Sequence, residues 1–454
     1  MAKTFTTATA PGAFPLLGHT LQLRRGPLKF LTSLSTLGDL VEVRLGPCRA
    51  YVLCDPALTY QVLLDDRTFD KGGPFYDKGR QVLGNGLVTC SHRDHRRQRR
   101  LIQPAFQRER VVSYSAVMGK QVMSLTESWR HGQVIDVLAE MHALTINVTA
   151  RTLFAGKIDA SHVALIRDCM EVIAGGVTRR VMLPATVLEK LPMRANRRFE
   201  YARRSLRQLT RQLIADYRRA GVDHGDLFSV LLTAGDTNGC GLTDDEIDDQ
   251  VLTLFLAAVE TTATTLSWVW HLLGSHPKIQ TELHAEVDTV LNGRTADHAD
   301  IARLGVTGRV ITESLRLWPP GWLFTRTTRS ETELAGRPLP AGTTLFFSPY
   351  LLHHRADLYP DPDRFDPDRW LPENVGPLSH GAMLPFGAGA RKCIGDRLGI
   401  AEASIALATI ASRWQLDPIS GVEVRPTTGR AVLAPRPLHM RLQQRQPLRE
   451  QGRA

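Results

Sequence analysis

One cysteine of this chain is set up for metal chemistry. The stretch Pro385-Phe386-Gly387-Ala388-Gly389-Ala390-Arg391-Lys392-Cys393-Ile394-Gly395 places Cys393 on a glycine-rich loop beside two cations. A thiolate needs nearby positive charge to ionise and free backbone N–H groups to bond its sulfur, and such a loop can supply both. A cysteine is otherwise most often a small buried hydrophobe. Here Gly387, Gly389 and Gly395 remove side chains from around the sulfur, which packing does not require but close approach of a flat group does. The other five cysteines, Cys48, Cys54, Cys90, Cys169 and Cys240, show no CxxC spacing and no partnering histidine cluster. Zinc and iron–sulfur sites therefore have little support, and a lone thiolate is left with haem as its partner.

A second group able to do chemistry is Glu260-Thr261-Thr262, which follows the apolar run Val251 to Val259. A charge and two β-branched hydroxyls stand where helix propensity and burial both argue against them. They form either an exposed turn whose hydroxyls bond back to preceding carbonyls, or a proton relay. Glu313 and Arg316 are three apart, share a helix face and can meet, although most such pairs are exposed and of little value. The run Arg93-Asp94-His95-Arg96-Arg97-Gln98-Arg99-Arg100 invites a nucleic-acid reading, since five of its eight residues are Arg. Helical geometry divides it instead, with His95, Arg99 and Ile102 on one side and Arg93, Arg96, Arg97 and Arg100 on the other.

The elements that must position these groups have their own signals. Thr243-Asp244-Asp245-Glu246 has the form of a capping box, and Asp244, Asp245, Asp248 and Asp249 complement the positive end of a helix dipole. The helix predicted from there to about Gly274 would be roughly 45 Å long and would carry Glu260 and Thr261. A length of 454 residues suggests about three domains, yet no Pro/Ser-rich linker or charge block divides the chain. One domain over 1–454 is expected, with 1–10 and 443–454 as flexible ends. The formal net charge of +10 permits an acidic partner without demanding nucleic acid. No uninterrupted apolar run approaches the ~18 residues that cross a bilayer. Met1 to Ala10 lacks a signal-peptide pattern and the cysteines are scattered, so a cytoplasmic protein without membrane anchor is expected.

The pattern Phe386-x-x-Gly389-x-Arg391-x-Cys393-x-Gly395 resembles the signature of the cytochrome P450 family. The resemblance runs from Pro15-Leu16-Leu17-Gly18-His19 to the last strands. It implies a mainly α fold with a smaller β region, near Leu40 to Leu53 and in the last third, where Thr343 to Phe347 reads as a strand. It implies haem b with Cys393 as axial ligand and Phe386 against the cofactor. Ala257 to Thr262 resembles the oxygen-activation motif, with Thr261 bonding dioxygen and water and Glu260 replenishing the proton. Two departures are present: Ala258 stands where glycine is common, and Glu260 where aspartate is more frequent. His95, Arg99, Arg326 and Arg391 match the family's propionate partners, and Glu313, Arg316 and Arg369 its buried structural network.

The outward arginines of the basic run would dock an acidic electron donor. No flavin or iron–sulfur signature is appended, so electrons are expected from a ferredoxin and its reductase, with O2 and a small lipophilic substrate as the other partners of a monomer. The pocket walls are expected from the loop Gly72 to Tyr76, from Leu87, Val88, Phe255, Leu256, Trp322, Leu323 and Phe324, and from Val432 and Leu433. Local stretches such as Thr68 to Pro74 and Leu83 to Val88 are similar to bacterial terpene-oxidising members, which implies a cyclic sesquiterpene or related lipophile. The alternatives are a polyketide- or macrolide-tailoring hydroxylase or epoxidase, a peroxide-driven thiolate-haem peroxygenase or isomerase, and a haem sensor.

Overall fold

The structure is a computed structural model that describes residues 4–154, 158–182, 193–235, 240–376, 380–428 and 432–445. Helices dominate it. Around the site stand α1 (Pro74–Leu83), α2 (His92–Ile102), α3 (Val137–Phe154), α4 (Arg194–Ala220), α5 (Asp244–Ser275), α6 (Gly305–Leu317) and α7 (Asp396–Ala411).

The capping box at the start of α5 forms in both directions. The Thr243 hydroxyl accepts from the Glu246 N–H at 3.2 Å, and the Thr243 N–H donates to the Glu246 carboxylate at 2.9 Å. At 32 residues, α5 is about 48 Å long. From Thr262 to Trp270 every residue is buried, the hydroxyls of Thr262, Thr264, Thr265 and Ser267 included, so protein surrounds this part of the helix on all sides. Among the described residues α5 is also long and apolar enough to cross a membrane on average composition, a match that a search for unbroken runs misses; 72% of that stretch is buried inside the protein. The acids of its first turns do more than complement a dipole. Arg207, Arg211 and Arg218 of α4 pair with Asp248 and Asp249, Asp245, and Asp244 respectively, which fastens α4 antiparallel along α5.

A six-stranded sheet runs in the order Thr7–Thr9, Leu40–Leu45, Cys48–Leu53, Thr344–Phe347, Phe324–Thr328, Phe69–Asp70. Both strand regions expected from sequence lie in it. Residues 7–9, expected within a flexible end, instead pair in parallel with Leu40 to Glu42. At the other end Gln443 and Gln444 close the strand His439–Gln444 against Trp414–Pro418, and Arg445 is paired with Asp288 at 2.7 Å. Only 446–454 of the expected C-terminal tail lies outside the described residues. The sheet's contribution to the site is at its edge: Asp70 pairs with Thr327, which carries Lys71 beside Arg326.

A buried ionic network fixes α6 to the segments around the cysteine loop. Glu313 and Arg316, both fully buried, form a bidentate pair at 2.7 and 2.9 Å. Arg369 reaches the same carboxylate at 3.5 Å, and the Trp370 indole N–H donates to it at 2.8 Å, a partner absent from the sequence reading. Arg316 also donates to the carbonyls of His353, Pro362 and Arg364. His353 accepts from the Leu384 N–H at 2.9 Å through Nε2, while its Nδ1 faces the Arg316 carbonyl at 3.1 Å. Complete burial pushes its imidazole down to about 3, so it is neutral and can both donate and accept. The network thus ends on the first residue of the cysteine loop.

Candidate active site

The loop from Leu384 to Gly395 is folded by its own backbone. The Gly387 N–H bonds the Leu384 carbonyl at 3.1 Å, and the Cys393 N–H bonds the Phe386 carbonyl at 2.9 Å. Gly389 has φ +67°, and a Cβ there would lie 2.1 Å from the Leu63 carbonyl oxygen, so only glycine lets the loop seat on the helix Pro56–Leu64. Phe386 is half-buried and packs against the core that includes α5 and α7. Cys393 itself is exposed on one side.

The protein surrounding the sulfur desolvates it and raises its thiol above the ordinary range, while a Gly395 N–H bond, Lys71 and Arg99 act in the opposite sense. The cations adjacent in sequence are therefore not the ones that serve the sulfur. Arg391 is turned away to Asp70 at 2.5 Å and to the Cys90 carbonyl at 3.1 Å, and Lys392 pairs with Asp396 at 2.6 Å.

The expected propionate partners converge. His95 and Arg99 come from the inner face of α2, Arg326 from the sheet and Arg391 from the cysteine loop; His95, Arg326 and Arg391 are buried. The structure adds Lys71, which sequence reasoning missed because an isolated lysine in a loop carries no signal, and Tyr76, expected as a pocket wall and instead buried and bonded to Arg326. Arg326 stacks on Phe347 at 5.2 Å and bonds Tyr76; Lys71 donates to the Val88 carbonyl at 3.1 Å. Burial, reinforced by Arg326 and Arg391, pushes Lys71 down to about 7. Burial also pushes His95 down to about 2, with Arg391, Lys71 and Arg99 adding to it. The His95 Nδ1 is buried and has no hydrogen-bond partner among the described residues. Among Lys71, Arg99, Arg326 and Arg391, Arg391 meets Asp66 and Asp70, and Arg99 lies near Asp396. These four basic side chains, with an orphaned imidazole nitrogen, fit a ligand bearing two carboxylates, and a haem carries two propionates.

The run on α2 is two-faced, with one correction. Arg93, Arg96 and Arg100 are exposed, whereas Arg97 turns back to the Glu246 carboxylate and to the Gly241 carbonyl, so it holds the start of α5 and is not available to a partner. Arg96 and Arg100 line a surface cleft of about 450 Å³ whose floor includes Arg99 and Gly389.

Between Gln250 and Trp270 of α5 the accessible residues are Leu256, Ala257, Ala258, Glu260 and Thr261, a patch of mostly small side chains in a stretch otherwise buried. The segment is regular helix and not a turn. The Thr261 hydroxyl donates back to the Ala257 carbonyl at 2.7 Å, the bond that the non-catalytic alternative predicts, and its lone pairs remain to accept a hydrogen bond. Glu260 lies 3.6 Å from His142 of α3. Thr262 faces the start of α7, where a Cβ on Gly399 would be 4.0 Å from its hydroxyl.

Of the expected pocket walls, Leu256, Val88, Leu323 and Phe324 keep accessible surface. Phe255, Leu87, Trp322, Val432 and Leu433 are buried, with Phe255 stacked on Phe154 beside a chamber of about 20 Å³. The side chains of Pro74 and Phe75 lie outside the described residues. The loop between α1 and α2 is tied to α5: the Asn85 N–H donates to Asp249 at 2.7 Å and the Leu87 N–H to Gln250 at 3.0 Å. Gly84, at φ +75°, lies so close to Asp249 that a Cβ would be 1.9 Å from its oxygen.

A cysteine on a glycine-rich loop, beside the buried Arg326 and Arg391 and the half-buried Lys71 and Arg99, is an arrangement that fits a flat, doubly acidic cofactor. The cytochrome P450 family profile matches residues 9–442. The chain is 50% identical over 420 residues to cyclooctat-9-en-7-ol 5-monooxygenase of Streptomyces melanosporofaciens, covering 92% of this chain and 91% of that protein. Over 419 residues, again 92% and 91% of the two chains, it is 50% identical to cyclooctatin synthase of the same organism. It is 45% identical over 444 residues to pentalenene oxygenase of Streptomyces avermitilis, covering 98% and 99%. The chain belongs to the cytochrome P450 family. It is a monooxygenase whose cofactor is haem with a cysteine thiolate ligand, and it is similar to bacterial terpene-oxidising members.

Proposed function

We propose that this enzyme inserts one oxygen atom of O2 into a cyclic terpene, using electrons delivered by a ferredoxin and its reductase, with Cys393 as the axial thiolate. The observation that carries the reading is the accessible Ala257-Ala258-Glu260-Thr261 patch on a core helix, whose small side chains leave room beside two groups able to move protons. The relatives' names include a hydrocarbon, pentalenene, and an alcohol, cyclooctat-9-en-7-ol, which supports a terpene hydrocarbon or its mono-alcohol as substrate.

When bound, haem supplies the redox chemistry that activates O2. Its propionates would be held by His95, Arg99, Arg326 and Arg391, with Lys71 and Tyr76 as further partners, and Phe386 would pack below it. Leu256, Val88, Leu323 and Phe324 would exclude water from the substrate and orient it by shape, since an apolar lining offers few polar handles. Insertion of one oxygen atom releases the other as water, which consumes two protons and two electrons. Thr261 would pass these protons from its hydroxyl oxygen, and Glu260 would replenish them. A peroxide-driven reaction needs no such route, so the presence of both groups favours the O2-dependent reading.

The reading is tested with pentalenene and cyclooctat-9-en-7-ol as probes under 18O2. Product carrying one 18O atom, formed with NADPH, ferredoxin and reductase, supports it; turnover with hydrogen peroxide and none with that electron supply overturns the electron-driven part. Replacing Thr261 with Ala is expected to leave haem and probe binding intact while NADPH consumption continues and peroxide replaces product. Unchanged product per NADPH in that variant would move the relay to another group.

Docking of the electron donor is assigned to Arg93, Arg96 and Arg100. Changing the three to Glu is expected to slow reduction about tenfold or more at low salt and to abolish its salt dependence, without altering the haem spectrum. Reduction kinetics that stay as in the wild type at low salt would place the docking surface elsewhere.

A further inference from the structure

We propose that His142 is the positioning residue through which Glu260 regains its proton. The ring gives the proton on Nε2 to Glu260 Oε2 as its Nδ1 takes one from water. The proposal rests on the reading of Glu260 and Thr261 as the proton route.

The geometry comes from the packing of α3 along α5. His142 and Thr145 are one turn apart on the same face of α3. The Thr145 hydroxyl reaches the Val259 carbonyl at 3.3 Å, and His142 Nε2 lies 3.6 Å from Glu260 Oε2, so α3 meets α5 at the residues just before Thr261. A separation of 3.6 Å is an ion-pair contact and not a hydrogen bond. Such catalytic contacts are often long before substrate binds. The Nε2 atom is itself buried and without a hydrogen-bond partner among the described residues. A bond of that kind left unmade is unfavourable, which favours closure onto the carboxylate. The two side chains remain 22% and 24% exposed, enough for exchange with water.

Several other charged residues of these and neighbouring helices are paired or exposed. On α3 Glu140 accepts from the Trp129 indole, and on α5 Asp248 and Asp249 are three turns away and held by Arg207. Lys120, Asp136, Arg167, Asp168 and Glu171, on elements packed against α3, are all exposed.

His142→Gln keeps an amide donor but cannot release a proton at one atom while taking one up at another. With pentalenene, NADPH, ferredoxin and reductase, product per NADPH is expected to fall about tenfold, as for other residues that support a catalytic group. Turnover driven by hydrogen peroxide, which brings its own protons, is expected to stay near wild type. A second readout needs no turnover: in the ferrous-carbonyl holoenzyme the ring nitrogen resonances of His142, assigned by their loss in His142→Gln, are expected to move in Glu260→Gln. Wild-type coupling in His142→Gln, equal loss in both assays, or resonances that do not move would each overturn the proposal. If Glu260→Gln and Thr261→Ala uncouple turnover and His142→Gln does not, the His142 proposal alone fails. If neither of those two variants uncouples it, the relay reading fails with it.

Discussion

In Cys393→Ser the ferrous-carbonyl complex is expected to lose its thiolate-type red-shifted Soret band, and NADPH-driven turnover should vanish with it. A serine hydroxyl is far too weak an acid to ligate iron as an alkoxide. The thiol it replaces is raised by its enclosure, but metal coordination deprotonates a thiol outright, helped here by the Gly395 N–H, Lys71 and Arg99. Cys90 is the control. It is fully buried, its sulfur faces the Leu87 carbonyl at 3.7 Å, and burial raises its thiol too, so Cys90→Ser should keep the band. Retention of the band in Cys393→Ser would falsify the ligand assignment.

Replacing Glu313 with Leu is expected to destabilise the enzyme by about 3–5 kcal/mol, because the Arg316 guanidinium and the Trp370 indole N–H would be left buried without their acceptor. Arg369, at 3.5 Å and partly exposed, should cost less when changed to Leu. The loss should also reach the active site, since Arg316, His353 and Leu384 connect the network to the cysteine loop. The measurement is the thermal midpoint together with haem retention, compared with Glu423→Ala at the exposed Arg425 pair, which should change neither. Equal effects at Glu313 and Glu423 would show that the buried network contributes no more than a surface pair.

Much of the site was legible in the chain because local rules govern it. The capping box at Thr243 and the 3.6-residue period of α2 each depend on neighbours within a few positions, and both are found in the structure, whereas Gly389 is required by its packing on the distant Leu63. The two faces of α2 followed the same period, apart from Arg97. Its direction is set by Glu246, which lies 149 residues away, and no helical wheel contains that carboxylate.

The sequence by itself determined the thiolate loop, the long helix with an acid and a hydroxyl at its centre, and the arginines that the family's motifs mark. Tertiary structure alone decided which charges face which. Arg391 and Lys392 stand beside Cys393 in the chain yet answer Asp70 and Asp396, while Lys71 and Arg99, more than 290 positions upstream, influence the sulfur. The acids at the start of α5 complement its dipole on paper and pair with α4 in the fold. The physical reason is range: capping, turn geometry and helical period are fixed within one or two turns of chain, whereas charge pairing and desolvation depend on what the fold brings within about 4 Å.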